Sequence, residues 1–108
     1  MRELNDLLER DPALAAYPYS FRVLSLENGI ARMTSPRSAQ MSAIQSLRIM
    51  FPELRNSGAQ SDEIQAAQQQ LASLQSSAAD LVGSQADVSS VQWVLDEPWL
   101  AKHGVFVQ

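Results

Sequence analysis

The feature that most constrains the fold is an Asn28-Gly29 dipeptide between two strand-like runs. The runs cover residues 19–26 and 30–34. Asn-Gly between such runs is a strong short-range signal for a β-hairpin, because both residues tolerate a positive φ. We therefore predict a hairpin over residues 19–34, whose apolar face needs a second layer to cover it.

The register of this hairpin follows from the alternation of its side chains. A two-residue loop would pair Val23 with Thr34 and mix polar and apolar groups on both faces. A three-residue loop, with Gly29 left-handed in a bulge, pairs Val23 with Met33 and separates the two kinds of side chain. This second register is predicted, and its apolar face holds Tyr19, Phe21, Val23, Ala31 and Met33. The opposite face would hold Arg22, Leu24, Leu26, Ile30 and Arg32, either covered by other elements or left as a contact patch.

A first main helix is predicted over residues 36–51. Ser35 fits the N-cap and Pro36 the first helical position. Pro52 disfavours helical geometry at the residue before it, so the regular helix should end near Phe51. The apolar stripe of this segment consists of Met41, Ile44, Leu47, Phe51 and Leu54.

A second main helix is predicted over residues 62–82, and its composition is unusual. No charged residue occurs from Ile64 to Ala79, and Ala, Gln and Ser supply nearly everything outside the apolar seam. That seam has heptad spacing and consists of Ile64, Ala67, Leu71, Leu74, Ala78 and Leu81. Either the outer face is solvated, with Gln replacing charged residues, or it also meets protein, since small uncharged side chains allow close approach without burying charge.

The remaining segments are short. Residues 2–17 are predicted to form a two-piece helical N-terminus, residues 90–95 a strand, and residues 98–103 a short helix ended by Gly104. The apolar segment 105–107 would add an edge strand or hold the terminus down. The predicted fold class is therefore α+β, with a small antiparallel or mixed sheet packed against two main helices in one domain of 108 residues.

Several classes of chemistry have no support in the sequence. The chain has no cysteine and one histidine, His103, which we interpret as a cation-capable residue at a helix end. The four glycines are isolated, so no phosphate-binding loop is predicted. We expect no enzyme activity, no metal and no cofactor. The formal net charge of −4, with neither a signal-like N-terminus nor a membrane-spanning apolar run, leads us to expect a cytoplasmic protein without a membrane contact.

Two functions remain as hypotheses. The first is a non-enzymatic interaction or adaptor module that binds a protein partner or itself through the 64–81 helix, with candidate contact residues Leu71, Leu74, Ala78, Leu81 and Trp99. The second is a nucleic-acid-associated protein. Residues 19–48 contain four arginines and one acid, Glu27, and clustered cations are what phosphate binding requires. The candidate patch consists of Arg22, Arg32, Arg37 and Arg48.

Overall fold

A computed structural model describes residues 2–37, 43–58 and 61–105. Within those residues the order of elements is α1 (Arg2–Arg10), α2 (Pro12–Ala16), β1 (Val23–Glu27), β2 (Ile30–Ser35), α3 (Ala43–Met50), a 3-10 helix (Pro52–Asn56), α4 (Asp62–Gly83), β3 (Ser90–Leu95) and α5 (Glu97–Lys102). The predicted α+β class is confirmed. The segment 105–107 lies outside the described residues except for Val105, whose backbone N–H donates to the Leu100 carbonyl at 2.8 Å.

The sheet has the strand order β1-β2-β3 and is mixed. β1 and β2 form the antiparallel hairpin, whereas β2 and β3 run parallel, with Ile30 opposite Ser90 and Ser35 opposite Leu95. A parallel pair requires a long crossover connection, which α3 and α4 provide here. The predicted strand at residues 90–95 is thus confirmed, at one end of the sheet.

The predicted three-residue loop of the hairpin is wrong. Glu27 pairs with Ile30, so the loop contains only Asn28 and Gly29, with φ values of 54° and 79°. Positive φ at both positions is the geometry of a type I′ turn, which matches the right-handed twist of the flanking strands. The local turn preference therefore decides the loop length.

The predicted pairing of Val23 with Met33 is nevertheless correct. A register shift between Val23 and Ser25 inserts Leu24 as an extra residue, and this β-bulge restores the apolar residues to one face. All five residues predicted for that face are buried. Beyond the bulge, Leu26 pairs with Ala31 and joins the core side, which corrects its predicted place on the opposite face.

The predicted start of the first main helix is also wrong. Ser35 is the last residue of β2, and its hydroxyl accepts a hydrogen bond from the Arg37 N–H and donates one to Gln75 Oε1. Pro36 lies in a bend, not in a helix. Pairing with β3 thus takes precedence over the local capping signal. Met41 lies outside the described residues, and the predicted end near Phe51 is confirmed.

The second main helix is confirmed over nearly its predicted length. Ser61 caps α4 by accepting a hydrogen bond from the Ile64 N–H at 3.3 Å. α4 packs across β2 and β3 and contacts α1, α2 and α3, so it forms the centre of the core. The predicted short helix near 98–103 is α5, with Asp96 as its N-cap and His103 as its C-cap.

Candidate interaction surface

β3 is an edge strand, and alternate residues along it expose their backbone groups. The Ser90 N–H donates to the Gly29 carbonyl at 3.2 Å, and the Asp96 N–H donates to the Ser35 carbonyl at 2.9 Å. In a parallel pair, every second residue directs its N–H and C=O to the neighbouring strand. The backbone groups of Val91, Trp93 and Leu95 therefore point away from β2, and no residue of the described ranges bonds to them.

The side chains of Val91, Trp93 and Leu95 form an apolar row, although the backbone groups of these residues point away from β2. Trp93 lies opposite the fully buried Met33, so the row belongs to the core side of the sheet. Each of the three side chains is only half-buried, and the Trp93 ring packs edge-on against Phe21 with ring centroids 6.0 Å apart.

The opposite edge of the sheet is occupied at Val23. The Asn5 side chain of α1 donates from Nδ2 to the Val23 carbonyl at 3.2 Å and accepts from the Val23 N–H at 2.7 Å. The amide thus replaces a neighbouring strand, and the bulge at Leu24 further distorts β1. Both are devices by which proteins prevent edge pairing, along with charges and prolines. β3 has neither bulge, charge nor proline in its Ser-Val-Gln-Trp-Val-Leu sequence.

The outer face of the sheet is exposed to solvent. Leu24 is 50% exposed, and Arg32 and Gln92 are exposed beside each other on β2 and β3. A shallow polar groove runs across this face between Ser25, Glu27, Ile30, Arg32 and Gln92. The described residues therefore leave this face uncovered, and the alternative of a contact patch stays open.

The predicted contact residues on α4 face inward. Leu71 is 1% exposed and Ala78 is 0% exposed, while Leu74 and Leu81 are half-buried against the same core. In this structure these positions pack in or against the core, and their role as contact residues stays a prediction. The outer face of α4 is exposed, and between residues 65 and 77 it consists of Gln, Ala and Ser side chains.

Trp99 lies at the end of the sheet beyond β1. Its half-buried ring packs edge-on against Tyr19, with centroids 5.0 Å apart, and it also contacts the His103 ring. The Asp96 carboxylate accepts the Tyr19 hydroxyl at 2.7 Å and the Trp99 N–H at 3.2 Å. This cluster holds α5 beside the segment that precedes β1.

The four arginines of the predicted patch have separate neighbours. Arg22 lies 3.6 Å from the Glu9 carboxylate, and Arg32 lies on the outer face of the sheet. Arg37 donates a hydrogen bond from Nε to Gln75 Oε1 at 3.4 Å. Arg48 donates one to the Ser57 carbonyl at 2.9 Å. Two of the side chains thus make hydrogen bonds within the fold. The four side chains differ in their contacts among the described residues.

Two buried tyrosines are the groups with raised pKa values. Burial raises the pKa of Tyr17 to about 12, and its hydroxyl has no hydrogen-bond partner among the described residues. Burial raises the pKa of Tyr19 still further, and the hydrogen bond to Asp96 acts in the same direction. The Tyr17 ring stacks on Phe21 and the Tyr19 ring packs edge-on against it, so both rings belong to the core.

Neither a metal cluster nor a membrane span is found in the described part of the chain. There, no three His, Cys, Asp or Glu side chains come close enough together to hold a metal ion. None of its helices combines the length and apolar character needed to cross a bilayer.

Within the described residues the chain is a small α+β protein whose mixed sheet ends in β3, a strand that pairs with β2 alone. No protein-family model, curated protein or solved structure matches the chain. Sequence reasoning identified β3 but missed its open edge. The uncharged, proline-free run of residues 90–95 is the signal that could have indicated it.

Proposed function

We propose that this chain is a non-enzymatic protein-interaction module that binds an extended segment of a partner protein along the free edge of β3. The observation that carries the proposal is the outward-facing backbone of Val91, Trp93 and Leu95. Strand addition to such an edge is a recurring mode of peptide recognition, in which main-chain hydrogen bonds give affinity and alternate side chains give specificity.

The half-buried apolar row sets the chemistry of the partner segment. An added strand would place every second side chain on the core side, next to Val91, Trp93 and Leu95, and those side chains need to be apolar. The alternate side chains would lie on the outer face beside Gln92, where polar groups are suitable. The preferred partner is therefore an extended segment with alternating apolar and polar residues.

The other exposed surfaces support binding less well. The outer face of α4 offers Gln, Ala and Ser side chains, which lack the large apolar or aromatic anchors that dominate binding energy. The outer face of the sheet has one exposed large apolar side chain, Leu24. Among the described residues, the β3 edge combines backbone N–H and C=O groups that have no partner with three half-buried apolar side chains.

A peptide selection tests this proposal. Random extended peptides are selected on the wild-type protein and counter-selected on Val91→Pro, which removes one outward N–H and leaves the hydrogen bonds to β2 intact. A second variant, Leu95→Lys, places a charge on the same edge, and Leu24→Ser is the matched control on the outer face. Circular dichroism establishes that each variant is folded.

We expect selected peptides to bind the wild type and Leu24→Ser equally, and to bind both edge variants at least about tenfold more weakly, because backbone hydrogen bonds or apolar contacts are lost. Hydrogen exchange should show new protection at the amides of Val91, Trp93 and Leu95. Peptides that protect α4 or the Leu24 face instead, or a selection that yields no binders, would overturn the proposal.

A further inference from the structure

We infer that the strand added to the β3 edge is β3 of a second copy of this chain, paired antiparallel about a two-fold axis with Trp93 opposite Trp93. The inference rests on the proposed function, since it names the partner for the same edge. Antiparallel pairing of identical strands is self-complementary, which is the property of a two-fold dimer interface. Three features of the structure favour this occupant and this register.

The first feature is the position of the outward-facing residues. In an antiparallel pair, hydrogen-bonded residues must both direct their backbone groups across the interface. When Trp93 of one copy lies opposite Trp93 of the other, Val91 of each copy lies opposite Leu95 of its partner. Every residue whose backbone groups point outward then meets another such residue. About six backbone hydrogen bonds form in this way. Shifting the register by two residues in either direction leaves at least one of the three residues without such a partner.

The second feature is the charge around the strand. Two acids, Asp96 and Glu97, follow β3, and two serines, Ser89 and Ser90, precede or begin it. In the Trp93-centred register Asp96 lies opposite Ser90, so this acid meets a neutral hydroxyl residue, whereas Glu97 already belongs to α5. A parallel, in-register pairing would set each acid beside its own copy, which is destabilising.

The third feature is that such a dimer is closed. Joining the two copies at β3 leaves only the β1 strands at the ends of the combined sheet. Each β1 edge is occupied by the Asn5 side chain and distorted by the bulge at Leu24. Assembly therefore stops at two copies, and the apolar rows of both copies join on one side of the sheet, with the Trp93 rings adjacent.

Sedimentation of the full chain over a range of concentrations is the first test. We expect a monomer–dimer equilibrium without larger species. Val91→Pro and Leu95→Lys should raise the dimer dissociation constant by about tenfold or more, since each change acts in both copies. Leu24→Ser should leave the constant unchanged.

Disulfide trapping tests the register, and the absence of native cysteine makes the result unambiguous. Val91→Cys mixed with Leu95→Cys should give a cross-linked heterodimer, because hydrogen-bonded antiparallel pairs have Cα atoms about 5.5 Å apart, a distance that suits a disulfide. Neither variant alone should cross-link, and Leu24→Cys is the surface control. Cross-linking of Val91→Cys or Leu95→Cys with itself would overturn the register.

Other outcomes separate this inference from the proposed function. A strict monomer whose β3 edge still captures selected peptides would overturn self-pairing and leave strand addition standing. A monomer whose edge amides become unprotected when residues 105–108 are deleted would assign the edge to the C-terminal segment and overturn the inference. Open-ended assembly of the wild type would contradict the closed dimer, and failure of both dimerisation and peptide binding would overturn both proposals.

Discussion

Replacing Asn5 with alanine is expected to lower the free energy of unfolding by about 1–3 kcal/mol. The side chain makes two hydrogen bonds to the backbone of Val23, at 2.7 and 3.2 Å, in a partly buried position. A net contribution of about 0.5–1.5 kcal/mol for each bond gives that range. In a domain of roughly this size, each 1 kcal/mol shifts the melting temperature by about 4–8 °C.

Thermal and urea unfolding monitored by circular dichroism measure this loss, and Asp6→Ala on the same helix is the matched control. We expect the control to be neutral or slightly stabilising, since alanine is the better helix former. Amide exchange at Val23 should accelerate in Asn5→Ala only. An Asn5→Ala protein within about 0.5 kcal/mol of the wild type would refute the reasoning, as would an equal loss in Asp6→Ala.

Tyr17→Phe should be neutral or stabilising because it removes a buried hydroxyl without a partner, whereas Tyr19→Phe should cost about 1.5–3 kcal/mol because it removes a hydrogen bond to a carboxylate. The folded-state pKa of Tyr17, about 12, exceeds its ordinary value of 10.0, so stability should be full below pH 10 and decline as the pH rises toward 12, less steeply in Tyr17→Phe. Gly29→Ala should destabilise by at least about 1–2 kcal/mol, because φ there is 79° and a Cβ would lie 2.5 Å from the neighbouring serine hydroxyl. Leu71→Glu should destabilise by more than about 4 kcal/mol, whereas Ser73→Glu on the exposed face should be tolerated.

Denaturant unfolding checks the five substitutions, and a pH titration of the melting temperature checks the tyrosines. Equal losses in Tyr17→Phe and Tyr19→Phe would contradict the difference in hydrogen bonding. A wild-type stability that is flat from pH 10 to 12 would contradict the burial of Tyr17. Wild-type stability in Gly29→Ala would contradict the left-handed turn, and a folded, associating Leu71→Glu would contradict the placement of α4 in the core.

Sequence patterns within a few residues of chain were sufficient to predict part of the fold. The Ser61 cap and the heptad spacing defined α4 to within one residue, because both act within a few residues of chain. The Asn28-Gly29 turn was equally local, but the loop length was wrong because a bulge at Leu24 offered a second way to segregate the faces. Side-chain alternation therefore predicted the faces and not the position of the extra residue.

Structural features that depend on contacts between residues far apart in the sequence could not be predicted in this way. Ser35 and Pro36 have the pattern of a helix start, yet the strand pairing with β3 decides their conformation. The seam containing Leu71 has the same spacing whether it faces a core or a partner. The Asn5 contact with Val23 joins residues 18 apart and has no sequence signature. The candidate surface depends on strand order, so only the three-dimensional structure shows it.

The parallel pairing of β2 and β3 affects how the protein folds. Gly29 and Ser89 share a hydrogen bond of 3.0 Å although they are 60 residues apart. Closing so long a loop is entropically slow, whereas the hairpin forms from neighbouring residues within microseconds. Substitutions that weaken the pairing of β3 with β2 should accordingly slow folding, whereas substitutions confined to the hairpin turn should affect its rate less.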